Sequence, residues 1–326
     1  MPNKDTNLIR FDDFMQHALH HPETGYYASS IQTVGASGDF STTATLSNVL
    51  GKAIAQSATE WSRKNKTLLN LIEVGGGDGS LAESIIKSIP FYKRWKLHYH
   101  IVDSSIPLTE KQQQKNKLSN RVTWNSEMKA ALAKCKGTAF IFSNELVDAF
   151  PVRVFKKSDT HWNELYLHNQ TEHFLPCSDT LPESSALEHS THYTGQRIEI
   201  HQSYREWMQQ WLPSWKCGEL LTIDYGDTHP KVYFRMPQGT LRAYSHHQRL
   251  TDVAVYQNPG KQDITADVNF TDLIEWGKQD GLETTSLMTQ RDYLTPHISS
   301  SPEDRFLIHP DGAGTAFKVL RQQRTE

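Results

Sequence analysis

Seven residues carry the densest chemical signal in the chain: Glu73-Val74-Gly75-Gly76-Gly77-Asp78-Gly79. An apolar run, Leu68–Val74, leads into them, and a helix-patterned stretch, Ser80–Ile89, leads out. Glycines in a strand-to-helix turn admit positive φ angles and let a ligand approach bare backbone, while the helix start directs free N–H groups at the same place. The spacing alone leaves alternatives open. Gly77-Asp78-Gly79-Ser80-Leu81-Ala82 also satisfies the dinucleotide pattern G-x-G-x-x-A, and a turn without a ligand is a third reading. Two acids favour a cationic ligand over a pyrophosphate. Glu73 ends the strand and Asp78 sits inside the turn, a pairing that suits S-adenosylmethionine.

A second acid, Asp103, closes the next apolar run, Lys96–Val102, where a carboxylate can accept hydrogen bonds from ribose hydroxyls or cap the following helix. After a fourth run, Thr138–Ser143, come Asn144, Glu145 and Asp148, one amide and two carboxylates. Methyl transfer from a sulfonium is an in-line displacement that needs orientation and exclusion of water more than a strong acid or base. Glu145 and Asp148 stand three apart, so one helical turn would put them on one face, where two carboxylates can clamp a guanidinium; capping or solvated charge is the plainer alternative. Asp224-Tyr225-Gly226 repeats the pattern after Gly218–Asp224, with a capping role equally open.

The elements that must hold these groups read as an α/β chain. Four apolar strands alternate with helices from residue 68 to 143, which predicts a parallel sheet covered on both faces. Gly218–Asp224, Thr284–Leu287 and Ala316–Leu320 bring the sheet to about seven strands, the last two antiparallel. Helices are expected at 11–20, 47–62, 108–118, 129–134, 197–212 and 271–279, short antiparallel strands at 152–155, 162–167 and 173–175, and mostly loop over 226–270, interrupted at Thr240–Tyr244. In domain terms, residues 1–62 read as an N-terminal helix-and-loop extension over the active cleft. Residues 63–326 read as the catalytic domain, with insertions at about 157–215 and 227–270.

Composition bounds the alternatives. The 326 residues suffice for a real core, and 34 Lys plus Arg against 37 Asp plus Glu give a net charge of −3. That balance argues against a broad nucleic-acid face and leaves room for a local basic patch. Cys135, Cys177 and Cys217 are scattered and odd in number, which argues against a disulfide framework or a zinc module and fits a reducing, cytoplasmic compartment. The sixteen histidines show no metal-ligand spacing, so no metal is expected. There is no apolar run of membrane-spanning length, no signal-peptide core and no transit-peptide pattern near Met1, so membrane insertion is not expected.

The chain resembles the MidA-like methyltransferase family, which includes a mitochondrial complex I assembly factor. The resemblance rests on blocks met in order: Phe14-Met15, Pro22-Glu23-Thr24-Gly25-Tyr26-Tyr27, Gly38-Asp39-Phe40-Ser41-Thr42, Glu73–Gly79, Asn144–Pro151, Asp224-Tyr225-Gly226, Gly239–Tyr244, Asp263-Ile264-Thr265-Ala266 and Phe317–Leu320. It implies a class I, Rossmann-like methyltransferase fold with a seven-stranded sheet, an N-terminal extension and inserted α/β segments. It implies that Gly75, Gly77 and Gly79 hold the methionine part of S-adenosylmethionine, that Asp103 holds the ribose, and that Gly38, Asp39 and Asn144-Glu145 line the cleft. It further implies a protein substrate, an arginine on a respiratory-complex subunit, with Glu145 and Asp148 as candidates for binding the guanidinium. The chain departs from the family where Ala44-Thr45 replaces a Pro-Glu pair, where Asp267 replaces a His and where Asp78 stands in the glycine turn. These departures keep two other expectations in play: a small-molecule O- or N-methyltransferase, and an S-adenosylmethionine-binding assembly factor with little turnover.

Overall fold

A computed structural model of the chain describes residues 8–30, 47–115, 122–177, 180–188, 192–245 and 248–325. They fall into two units interleaved along the sequence: Met1–Ile31, Val147–Trp207 and Gly226–Leu273 in one, and Gln32–Leu146, Met208–Tyr225 and Ile274–Glu326 in the other.

The second unit is built on a large sheet. Its strands are β1 (Leu69–Val74), β2 (Leu97–Val102), β3 (Val122–Asn125), β4 (Thr138–Asn144), β5 (Cys217–Asp227), β6 (Glu283–Thr289) and β7 (Phe317–Arg324). They lie in the order β3-β2-β1-β4-β5-β7-β6. The first five run parallel, and β7 is antiparallel to both β5 and β6, as expected for the last two strands. All six residues of β1 are buried, which is why this strand reads as a continuous apolar run.

Helix Val49–Asn65 packs into the core of this unit. Val49, Leu50, Ala53, Ile54, Ala58 and Trp61 recur at helical spacing and join Leu71, Tyr99, Phe140 and Phe142 of the sheet. Each large apolar side chain buried there stabilises the fold by about 1.5–3 kcal/mol. A Cβ on Gly51 would stand 2.2 Å from Ser84 Oγ, so a glycine lets this helix approach helix Ser80–Ser88 closely. The boundary expected near residue 62 therefore falls inside a helix that belongs with the sheet.

The first unit holds a five-stranded antiparallel sheet: Ile9–Arg10, Trp162–His168, Arg153–Lys157 and Arg197–Ile200 in order, with Thr171–Pro176 along Trp162–His168. Arg153 grips Glu164 on the neighbouring strand through two hydrogen bonds of 2.6 and 2.8 Å, both side chains buried. The helix expected over 197–212 begins later, at Gln202, because Arg197–Ile200 pairs with Arg153–Lys157 and buries Ile198 and Ile200. The stretch expected as mostly loop over 226–270, interrupted by Thr240–Tyr244, contains a three-stranded sheet: Arg242–Ser245, which overlaps that interruption, lies between Gln248–Leu250 and Asp263–Thr265. No helix among the described residues is long and apolar enough to cross a membrane.

Candidate functional site

In the sheet unit, register aligns the carboxyl ends of four neighbouring strands. Val74 pairs with Val102 and Ser143, and Ile223 pairs with Asn144. The glycine turn leaves β1 at this edge. Gly75, Gly77 and Gly79, the three glycines singled out from sequence, have φ of 71°, 52° and 81°, all in the left-handed region. A Cβ built on Gly77 meets nothing within 4 Å, so open space faces the backbone there. Gly79 N-caps helix Ser80–Ser88, whose first N–H groups and positive dipole end point to the same edge.

Glu73 is 2% exposed and accepts a 2.7 Å hydrogen bond from the Tyr99 hydroxyl on β2. Burial pushes its carboxyl up to about 8; the Tyr99 bond opposes that shift and the charges of Asp103 and Asp78 add to it. Asp103 follows β2. It accepts from Ser105 N–H at 2.9 Å and from Gln112 Nε2 at 2.7 Å, and burial raises its pKa against these bonds. The capping role weighed for Asp103 falls instead to Ser105, whose Oγ accepts from Leu108 N–H at 3.3 Å.

Gln112 is the residue that sequence reading missed. It is fully buried in helix Ile106–Lys115, and its amide donates both to Asp103 and to the Gly77 carbonyl at 3.1 Å, tying the turn to the second acid. Asp78 does not act as expected. Its carboxylate accepts from Ser80 N–H and from Lys115 Nζ at 2.5 Å. Burial alone would raise Asp78; the Lys115 and Ser80 bonds outweigh it and hold the group below the ordinary carboxylate value. Its charge is thus committed to Lys115, which weakens the argument that it repels a pyrophosphate.

Asn144 ends β4 and Glu145 follows it beside the turn, since a Cβ on Gly75 would touch Leu146 at 2.9 Å. Glu145 N–H donates to Ile223 O at 2.9 Å, and Leu146 N–H donates to Asp224 at 3.1 Å. Asp224 is fully buried, so this acid fastens the loop after β4 to β5. Asn144 Nδ2 donates to Glu145 Oε1 at 2.9 Å. Glu145 takes φ 52°, a backbone state that costs a non-glycine residue roughly 1–2 kcal/mol and that clusters at functional sites. The helical turn expected to carry both Glu145 and Asp148 does not form: the short 3-10 turn starts only at Val147.

Asp148 belongs to the other unit and is 2% exposed. Several sequence blocks meet there. Tyr27 donates to Asp263 at 2.8 Å and stacks on His20, which donates to Ala149 O at 3.1 Å. Desolvation, then the charges of Asp263 and Asp148, push the Tyr27 phenol far above its ordinary range. Arg242 pairs with Asp267 at 2.5 Å, so the residue that departs from the family's His carries an ion pair. Buried Glu199 accepts from Thr240 N–H and Oγ1. Gly38 and Asp39 lie outside the described residues, as do Ala44 and Thr45. Among the described residues no group of His, Cys, Asp and Glu could hold a metal ion.

This sheet order and glycine turn are those of the class I methyltransferase fold. Residues 49–288 match a family described as "Putative S-adenosyl-L-methionine-dependent methyltransferase", and the chain belongs to that family. It is 26% identical over 300 residues to the human protein arginine methyltransferase NDUFAF7, mitochondrial, covering 82% of this chain. The Danio rerio protein of the same name is 25% identical over 322 residues and is covered over 73% of its length. The chain spans 65% of the length of the human relative. A Burkholderia thailandensis protein solved with S-adenosyl-homocysteine superposes with a TM-score of 0.85 at 24% identity, over 97% of this chain and 88% of that one. A second structure from that organism gives 0.79 at 23% identity, over 97% and 87%. The MidA-like resemblance read from the sequence agrees with this family membership.

Proposed function

We propose that the methyl acceptor is an arginine side chain of a protein. The observation that carries this reading is Glu145: a carboxylate oriented by Asn144, held at φ 52° on a loop fastened by Asp224, beside the glycine turn. The name shared by the curated relatives supports it. A guanidinium is protonated at neutral pH, and a carboxylate binds it through charge-assisted hydrogen bonds.

For the cofactor, the positive-φ glycines and the open space before Gly77 fit backbone contact with a methionine moiety. Asp103, steadied by Gln112, fits ribose hydroxyls, and Glu73 faces the cationic end. When bound, S-adenosylmethionine supplies a methyl group on a sulfonium. Glu145 would orient the guanidinium and accept the proton that the nucleophilic nitrogen gives up. Asp148 is kept as the second candidate carboxylate, and Gly38 and Asp39 as cleft residues.

The test is transfer of labelled methyl from S-adenosylmethionine to proteins of a cell extract, followed by amino-acid analysis. Methylarginine is expected, with label on a respiratory-complex subunit as the finer expectation. Glu145→Gln should cut transfer by roughly 10²–10⁴-fold and leave cofactor affinity nearly intact. Label confined to small molecules would overturn the arginine reading. A cytoplasmic location is the companion proposal, set beside relatives named mitochondrial; fractionation of the tagged protein decides it.

A further inference from the structure

The amino ends of the parallel strands, opposite the glycine turn, form a second surface. Helix Ser80–Ser88 descends to Pro90, and the 3-10 segment Phe91–Lys96 then leads into β2. This segment buries none of its residues: Phe91, Tyr92 and Trp95 are 83%, 66% and 65% exposed. It is not slack, because Arg94 ties it back to the helix end through Ile89 O and Lys87 O, each at 2.8 Å. Leu68, 53% exposed, sits at the same end, since Leu69 pairs with Leu97.

The charge here is one-sided in a chain whose net charge is −3. Between Glu83 and Asp103 the sequence has Lys87, Lys93, Arg94 and Lys96 and no acid. The entry to β1 adds Arg63, Lys64 and Lys66, and the entry to β4 adds Lys136. β2, β1 and β4 are consecutive neighbours, so these entries make one continuous edge. The acids nearest this edge are Glu60, before Arg63, and Glu219 of β5, which pairs with Arg321; further acids follow toward β6 at Asp280 and Glu283.

We infer that this edge docks the protein on the surface of an anionic phospholipid bilayer. Exposed aromatics beside an aliphatic side chain, ringed by lysines and arginines, match the chemistry of the interface: rings settle among the headgroups and cations meet lipid phosphates. Single-stranded nucleic acid fits less well, because base stacking needs free ring faces. Lys96 Nζ lies 4.7 Å over the Trp95 ring, and Lys93 Nζ 6.0 Å from the Tyr92 centroid. Docking through this edge leaves the opposite edge, with the glycine turn, facing away from the bilayer.

Flotation of the full chain with vesicles tests this. The expected result is binding to vesicles of phosphatidylcholine mixed with phosphatidylglycerol, weak binding to phosphatidylcholine alone, and loss of binding at high salt. The double variant Lys93→Glu/Lys96→Glu should bind anionic vesicles at least about tenfold more weakly. The triple variant Phe91→Ser/Tyr92→Ser/Trp95→Ser should lose binding while keeping the wild-type circular dichroism and S-adenosylhomocysteine affinity. Equal binding of wild type and folded variants would overturn the proposal. So would a dimer in light scattering that the triple variant abolishes, or a single-stranded RNA that displaces the protein from the vesicles.

Discussion

A single amide does more in the candidate cofactor site than its place in the sequence suggests. Gln112 donates to Asp103 and to Gly77 O, so Gln112→Leu leaves a buried carbonyl and a buried carboxylate each short of a donor. The variant should lose about 1–3 kcal/mol of cofactor affinity, measured by calorimetric titration. Glu73 makes the site sensitive to pH. Its carboxyl is held up to about 8 in the fold, against 4.5 for an ordinary glutamate, so the folded chain keeps a proton that the unfolded chain loses. Stability should therefore fall as pH rises through that window. A cationic cofactor draws Glu73 to its ionised form and releases the proton. Affinity should rise toward pH 8 by at most about tenfold per unit, relative to Glu73→Gln measured over the same range. Parallel pH profiles for the two proteins would remove Glu73 from the site. The glycines and Glu73 could be singled out from residue type and spacing, because one strand-turn-helix passage contains them. Gln112 and Lys115 were not, because nothing local marks a glutamine or a lysine as the partner of a turn some 35 residues earlier.

At the level of elements, the sheet was legible for a plain reason: β1 and β4 bury nearly every side chain and so appear as unbroken apolar runs. Arg197–Ile200 was misread for an equally physical one. It is four residues long and runs almost directly into an amphipathic helix, so helical spacing swamps its alternation. The buried Glu199 between Ile198 and Ile200 is intelligible only once the Thr240 bonds are seen. Gly239 backs this acid with φ 77°, and a Cβ there would stand 2.0 Å from Glu199 Oε1. Gly239→Ala should therefore destabilise the protein by about 1–3 kcal/mol, read from urea unfolding. Arg153→Met takes from the buried Glu164 its close partner, leaving Arg10 at 3.9 Å, and should cost about 3 kcal/mol; addition of Glu164→Leu should recover much of it.

Over the whole molecule, ligand binding reports on the fold. S-adenosylhomocysteine at a hundred times its dissociation constant should add about 2.7 kcal/mol of stability, visible as a raised Tm, and Gly77→Val should abolish the increment. What sequence alone did not disclose at this scale is the interleaving. Each unit draws on three separate stretches of chain, and such a division is written in long-range contacts rather than in local pattern.

The place of β7 between β5 and β6 has a consequence for how the protein is made. A ribosome that has delivered residues through 300 has supplied β1 to β6, yet β5 and β6 have no strand to join them. The flank of β5 stands open, a row of unpaired N–H and C=O groups that invites pairing with other chains. Residues 317–324 close it by insertion rather than by addition at an outer edge, so the sheet completes late and all at once. The nascent chain thus passes through a stage in which chaperone cover matters most, and a frameshift near residue 310 would leave the flank of β5 open and the product prone to aggregate.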